Sequence, residues 1–252
     1  MHLDAVHLLL VAVAALIAGA VNAVAGGGTL VSFPALLLLG FPALTANVTN
    51  TIGMFPGYAG GSVAYRTELR VQRDRIRFLA PISIVGAVVG AILLTRTSNH
   101  VFAAVVPWLI LLACALLLLQ PVFTARISQS RPAEQQHRSP VLVVAQFLGG
   151  VYGAFFGAGL GVMLLAVLGL FIRDDLQSIN ALKGMLSLII NVVAAVYFAF
   201  FGPVSWIAVL VMVPTSAVGG FIGVSLARRL HPVVLRTVVV VFGVAFALHQ
   251  LL

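Results

Sequence analysis

The feature that most constrains this chain is a series of long apolar runs separated by short loops. A helix needs about 20 apolar residues to cross the roughly 30 Å hydrocarbon core of a bilayer. Runs of that kind occupy residues 5–24, 42–64, 78–95, 101–120, 177–201, 204–227 and 232–250. Of the 252 residues 62% are apolar and only 8% are charged, too few charges to cover a water-facing surface. The sequence therefore predicts an all-α, polytopic helical bundle that spans a membrane.

The arginines predict how this bundle is oriented. Three loops are rich in arginine: 66–77, 121–140 and the pair Arg228–Arg229. The arginines are thus expected in loops, with Arg96 in a short turn as the main exception. Cytoplasmic loops of membrane proteins carry an excess of Lys and Arg, so we expect these three loops in the cytoplasm. The same placement accounts for the net charge of +8 without a nucleic-acid partner.

Counting the crossings gives two segments that must return to the side on which they began. Segment 5–40 begins and ends outside, and segment 141–172 begins and ends inside, which places both termini outside. Each segment contains a run of glycines, so each is expected to form a pair of short or re-entrant helices. The chain then divides into a first membrane repeat (1–122), a cytoplasmic linker (123–140) and a second membrane repeat (141–252).

The two repeats share one order of features in opposite orientations. "AGAVNAVAGGG" (18–28) parallels "GGVYGAFFGAG" (149–159), and "NVTNTIG" (47–53) parallels "NALKGML" (180–186). Inverted repeats with paired interrupted helices are typical of secondary transporters, whose substrate site lies near the midplane of the membrane.

The glycines have two possible roles. A break in a membrane helix opens backbone N–H groups at the positive end of the next helix dipole, which favours an anion. On this interpretation the first break offers Gly26, Gly27, Gly28, Thr29 and Ser32, and the second break offers Gly157, Gly159 and Gly161. Pro34 is expected in or near the first turn of the new helix, where its missing N–H is tolerated. The alternative is close helix packing, which also describes Gly86 and Gly90.

Polar side chains inside the apolar runs are the other candidates. Asn47, Thr49 and Asn50 cluster in the second run, with two interpretations: ligand contacts or hydrogen bonds between helices. Asn180 and the single lysine, Lys183, occupy the matching region of the second repeat. Lys183 either lines a cavity or extends back to the cytoplasmic interface. Asn22 and Asn191 are expected to form hydrogen bonds between helices.

The six acidic residues are expected in loops or at termini: Asp4, Glu68, Asp74, Glu134, Asp174 and Asp175. Cation pumps and many proton-coupled carriers place Asp or Glu within the membrane, so their absence from the apolar runs favours an anion. The histidines form no cluster with metal-ligand spacing, and no nucleophile with an acid–base pair is apparent at depth. We therefore expect no enzyme activity, no metal and no cofactor.

Two segments resemble the sulfite exporter TauE/SafE family of membrane transporters. They are "AGAVNAVAGGGTLVSFPALLLLGFPALTANVTNT" (18–51) and "NALKGMLSLIINVVAAVYFAFFGPVSW" (180–206), and the similarity extends from about residue 10 to 250. The resemblance implies two repeats of roughly four helices and the transport of small sulfur-containing anions such as sulfite or organosulfonates.

These arguments together predict a secondary transporter of the bacterial inner (plasma) membrane that moves a small inorganic or organic anion by alternating access. The anion would lie between the two breaks. It would contact the amides of residues 27–29 and 159–161, with Thr49, Asn50 and Lys183 nearby. The alternative is a passive anion channel with the same fold.

Overall fold

The computed structural model of the protein describes residues 4–25, 27–64, 66–129, 139–172, 174–227 and 232–251. Within these residues the chain forms helices and no strand, which confirms the all-α class. Gly26, Arg228 and Arg229 lie outside the described residues. In chain order the helices are α1 (Ala5–Ala25), α2 (Thr29–Leu38), α3 (Ala43–Ala64), α4 (Arg66–Val71), α5 (Arg73–Arg96), α6 (Asn99–Gln129), α7 (Pro140–Phe155), α8 (Leu160–Phe171), α9 (Leu176–Phe201), α10 (Trp206–Ala227) and α11 (Pro232–Leu251).

Five stretches of these helices are long and apolar enough to cross a membrane: Ala5–Asn22, Arg73–Arg96, Asn99–Arg126, Leu176–Phe201 and Trp206–Gly223. Large apolar side chains also cover the outside of the bundle, where Phe221 is 81% exposed and Phe200 is 79% exposed. A continuous apolar surface of this kind is stable against lipid and not against water. The prediction of a multi-pass membrane protein is confirmed.

The segments with glycine runs are each split into two helices, as the sequence predicts. Segment 5–40 forms α1 and α2, and segment 141–172 forms α7 and α8. Four details differ from expectation. Helix α1 has 21 residues and is long enough to cross a membrane, so it is not a short helix. Residues 66–77, expected as a loop, form α4 and the beginning of α5. Pro34 is the sixth residue of α2 and lies inside the helix, not in its first turn. Helix α6 continues to Gln129, so the first seven residues of the proposed linker are helical.

Glycines at intervals of four join helices from opposite halves of the chain. A Cβ at Gly86 or Gly90 of α5 would overlap the carbonyl oxygen of Phe147 or Val151 of α7. The packing interpretation of Gly86 and Gly90 is therefore confirmed, because only glycine lets the two backbones approach so closely. The residue numbers of both helices rise together along the contact, which shows that α5 and α7 run parallel.

Helices α10 and α1 repeat this arrangement. A Cβ at Gly219 would overlap the carbonyl oxygen of Leu16, and a Cβ at Gly223 would lie 2.7 Å from that of Ala20. Helix α10 also packs against α3, just as α5 also packs against α9. The bundle therefore contains two similar groups of helices: unit A (α1, α2, α3 and α10) and unit B (α5, α7, α8 and α9). Each unit combines helices from both halves of the sequence.

Hydrogen bonds define the two ends of the bundle. At the Thr49 end, the Thr49 hydroxyl oxygen accepts a hydrogen bond of 3.0 Å from the backbone N–H of Ser205, at the start of α10. At the opposite, Arg75 end, Arg75 forms an ion pair with Asp174. Helices α3 and α9 begin at opposite ends and pack against each other where units A and B meet. Which end faces the cytoplasm stays a prediction.

Helix α9 starts at a capping carboxylate at the Arg75 end. Asp175 accepts hydrogen bonds from the backbone N–H groups of Gln177 (2.9 Å) and Ser178 (3.0 Å). Hydrogen bonds from Ser178 hold the pKa of Asp175 below its usual value, because they stabilise the ionised carboxylate. This cap fixes the point at which α9 begins, and hence the depth of Asn180 and Lys183 farther along it.

Candidate functional site

The first break, between α1 and α2, is largely closed by its own backbone. The N–H of Leu30 donates to the carbonyl of Gly27 (3.0 Å), and the N–H of Val31 donates to that of Gly28 (2.9 Å). The Ser32 hydroxyl also donates to the Gly28 carbonyl at 3.3 Å. The predicted site residues described here are all buried: Gly27, Gly28, Thr29 and Ser32.

Neighbouring helices press closely on this first break. A Cβ at Gly28 would overlap the carbonyl oxygen of Ala18 in α1. A Cβ at Gly27 would lie 3.2 Å from the Leu117 side chain of α6 and 3.8 Å from the Val239 side chain of α11. The glycines here permit close packing, so the packing alternative holds for at least part of their role.

The second break, between α7 and α8, has matching backbone hydrogen bonds, from the N–H of Leu160 to the carbonyl of Gly157 (3.2 Å) and from that of Val162 to the carbonyl of Gly159 (3.0 Å). Its backbone conformation is different. Gly157 and Gly159 adopt left-handed conformations, with φ of 76° and 72°. Such values disfavour residues with a Cβ, which explains two glycines within three residues. The Tyr152 hydroxyl donates to the carbonyl of Ala158 at 2.5 Å and ties the turn to α7.

This second break is more open than the first. Gly157 and Gly161 are partly exposed, whereas Gly159 is buried against Ala113 of α6. Within the part of the chain that the structure describes, the N–H groups of Gly159 and Gly161 have no hydrogen-bond partner. These amides lie at the N-terminus of α8, where the helix dipole favours negative charge.

The two breaks approach adjacent turns of the same helix. Gly27 contacts Leu117 and Gly159 contacts Ala113, and these two residues of α6 lie four positions apart, about 6 Å by helical rise. The rings of Phe33 in α2 and Phe156 in the second break meet edge to face, with centroids 5.4 Å apart. The structure thus brings the breaks together, with apolar side chains between them.

Helix α3 links unit A to the second break. The Asn47 side-chain amide donates to the carbonyl of Phe155, the last residue of α7, at 2.9 Å. Asn47 and Asn50 are buried, and the Oδ1 atom of each has no hydrogen-bond partner among the described residues. Thr49 makes a contact within unit A, because its hydroxyl oxygen accepts the hydrogen bond from the backbone N–H of Ser205.

Helix α9 places its lysine beside the start of α8. The Lys183 ammonium donates to Asn180 Oδ1 at 2.9 Å. The Lys183 side chain passes 4.0 Å from the position of a Cβ at Gly161. Its stem therefore lines the second break, while Asn180 draws the charged group one turn toward the Arg75 end. No ion pair between Lys183 and a carboxylate forms among the described residues.

Comparison with known proteins identifies the family. The family described as sulfite exporter TauE/SafE matches residues 11–249. The chain belongs to this family. A similar protein of Sinorhizobium sp., named probable membrane transporter protein ORF9, is 29% identical over 98% of this chain and 94% of its own length.

Further relatives carry the same kind of name. A probable membrane transporter protein of Haemophilus influenzae is 26% identical over 90% of this chain and 88% of its own length. The probable membrane transporter protein YfcA of Escherichia coli is 24% identical over 86% of this chain and 77% of its own length. No solved structure matches the chain. Family and relatives together indicate that this TauE/SafE protein is a membrane transporter.

One pair of polar residues in this TauE/SafE protein was not predicted from the sequence. Arg236 lies in α11, so the expectation that the arginines lie in loops is wrong for this residue, as it is for the arginines of α4 and of the beginning of α5. Its Nη2 donates to Oε1 of Gln120 in α6 at 3.1 Å, and its Nε is buried without a partner among the described residues. An arginine inside the last apolar run was the available signal, since ionisable residues in membrane helices are often functional.

Proposed function

We propose that this TauE/SafE protein is a secondary transporter that moves a small sulfur-containing anion, such as sulfite or an organosulfonate, across the bacterial inner membrane by alternating access. Membership of a family described as sulfite exporters supports the substrate class. The observation that carries the proposal is the Lys183–Asn180 pair beside Gly161.

The chemistry of this pair favours an anion. An ammonium group within an apolar helix is costly unless a negative charge or several hydrogen bonds compensate it. Among the described residues the Lys183 ammonium has a neutral partner, Asn180, and the Lys183 stem passes 4.0 Å from the Cβ position of Gly161, whose N–H has no partner there. A sulfur oxyanion has several acceptor oxygens and would satisfy the ammonium and the amides together.

The packing supports a particular form of alternating access. The strongest packing lies within units A and B, and the polar helices α3 and α9 meet between the units. We therefore expect unit A to rock against unit B rather than the first half of the sequence against the second. Asn47 crosses the boundary, because it lies in α3 of unit A and bonds to Phe155 in α7 of unit B.

The test is transport by purified protein in liposomes. The wild-type protein should show saturable, gradient-coupled uptake of radiolabelled sulfite. Replacement Lys183→Met should lower kcat/KM about ten- to a hundredfold, since hydrogen bonds to charged groups contribute about 1.5–3 kcal/mol. Arg77→Met is the matched control, because that side chain is 79% exposed and lies near the start of α5, at the Arg75 end.

Three results would contradict this proposal. Absence of flux for sulfite, thiosulfate, sulfate and taurine would remove the substrate class. Flux that rises linearly with concentration and does not respond to a second ion gradient would identify a passive channel. Equal losses of kcat/KM in Lys183→Met and Arg77→Met would show that Lys183 does not belong to the binding site.

A further inference from the structure

Helices α6 and α11 cross beside the first break, and their crossing contains the Arg236–Gln120 contact. Cys114 of α6 is buried and lies 3.9 Å from the carbonyl oxygen of Val240 in α11, so the helices touch closely here. Arg236 and Gln120 follow on the side of this contact nearer the Arg75 end. Both belong to apolar helices, where a guanidinium group requires compensation.

The first break lies one helical turn away from this pair. Leu117 and Val239 are the residues that contact Gly27. Gln120 is three positions beyond Leu117, and Arg236 is three positions before Val239, both toward the Arg75 end. Residues three apart lie on the same face of a helix, so Gln120 and Arg236 face the region just beyond Gly27.

The pair offers hydrogen-bond donors and positive charge. Arg236 uses Nη2 to bind Gln120 Oε1, and its Nε remains buried without a partner among the described residues. Because Gln120 accepts through Oε1, its Nε2 group is oriented as a further donor. Within the described part of the chain no carboxylate pairs with Arg236. An oxyanion with two or more oxygens matches this donor set.

We propose that Arg236 and Gln120 form a second anion-binding site, which holds the transported oxyanion at the Arg75 end of the first break. This inference rests on the proposed function and assigns to the first break a cation that corresponds to Lys183 at the second. The substrate would bind at Arg236 on the path between the Arg75 end and the centre of the bundle.

The experiment compares sulfite transport and binding in vesicles of zwitterionic lipid for wild type, Arg236→Gln, Arg236→Lys and Gln120→Ala. Arg236→Gln should raise KM for sulfite presented at the Arg75 end about ten- to a hundredfold. Arg236→Lys should be intermediate, because lysine keeps the charge and loses the planar array of donors. Gln120→Ala should raise KM less, because it removes one neutral group.

Control measurements distinguish loss of folding and binding of lipid from a change in sulfite binding. Thermal unfolding of each variant identifies loss of folding. If Arg236→Gln does not fold, Gln120→Ala and Arg236→Lys test the proposal. A second set of vesicles with anionic lipid distinguishes a lipid phosphate from free sulfite. A KM effect of Arg236→Gln in zwitterionic vesicles supports the proposal. An effect confined to anionic vesicles shows that Arg236 binds lipid and overturns it.

The inference can fail while the proposed function stands. Sulfite transport that is lost in Lys183→Met and unchanged in Arg236→Gln and Gln120→Ala would overturn the second site alone. Absence of sulfite transport in the wild-type protein would remove the proposed function and this inference together.

Discussion

The two glycine breaks occupy matching positions in the two halves but differ in structure. The first is buried, and its amides at Leu30 and Val31 bond to the carbonyls of the break itself, as those of Leu160 and Val162 do in the second. The second has two left-handed glycines, is partly exposed at Gly157 and Gly161, and has Lys183 beside it. Similar sequence can therefore form a buried joint in one place and a partly exposed turn in another, because the neighbouring helices decide how much of each break stays exposed.

The largest effect should come from filling the first break. Gly28→Ala would place a Cβ against the carbonyl oxygen of Ala18 and 2.9 Å from the Asn22 Cβ. We expect the free energy of unfolding to fall by about 2–3 kcal/mol, as for overpacking of a tight core. The measurement is the thermal unfolding midpoint in detergent. Gly184→Ala is the control, since a Cβ there meets nothing within 4 Å.

Equal unfolding midpoints for Gly28→Ala and Gly184→Ala would break the comparison. The first break would then be loose, and its burial could not distinguish it from the second.

A smaller effect is expected at the matching position of the second break. Gly159→Ala must adopt a left-handed conformation, which costs about 1–2 kcal/mol. Its Cβ would approach the Ala113 Cα at 3.4 Å, a tight contact that does not require a backbone shift. We expect a moderate fall in the unfolding midpoint together with a loss of sulfite flux, because the open amides of α8 move. Gly159→Asn should be milder, since asparagine tolerates this conformation better.

A stable Gly159→Ala variant with unchanged flux would contradict the role given to the second break. That result would show that the amides of Gly159 and Gly161 do not contact the substrate.

The smallest effect should come from the hydrogen bond that ties the second break to α7. Tyr152→Phe removes the donor to the Ala158 carbonyl and should lower stability by about 1 kcal/mol. Tyr197→Phe is a matched control, because its hydroxyl lies 3.3 Å from that of Thr95, away from both breaks. If both variants unfold at the same temperature and transport at the same rate, the tyrosine does not shape the second break.

Much of the architecture could be predicted from local sequence. The spans follow from the length of apolar runs, and the divided helices follow from glycine runs, because both signals depend on neighbouring residues. The spacing of Gly86 and Gly90 also predicted a packing face. The partner of that face could not be predicted, since α7 and α5 meet across more than fifty residues of intervening chain.

The candidate site was less predictable. The sequence singled out Asn47, Asn50 and Lys183 as polar residues in apolar runs. Among the described residues the Oδ1 atoms of both asparagines have no hydrogen-bond partner, and the lysine has a neutral partner. The sequence did not show that the Thr49 hydroxyl accepts a hydrogen bond at the start of α10, because that contact joins distant segments. Arg236 was not predicted as a site residue, because it lies near the start of the apolar run 232–250, where an arginine resembles a cytoplasmic flank.

The pairing of α1 with α10 has a consequence for how this protein is made. Helix α1 is synthesised about 200 residues before Gly219 and Gly223, the glycines against which it packs. Until then the face of α1 around Leu16 and Ala20 must be covered by lipid or by insertion machinery. A chain whose synthesis stops after α9 would therefore leave this face of α1 without its helix partner in the bilayer.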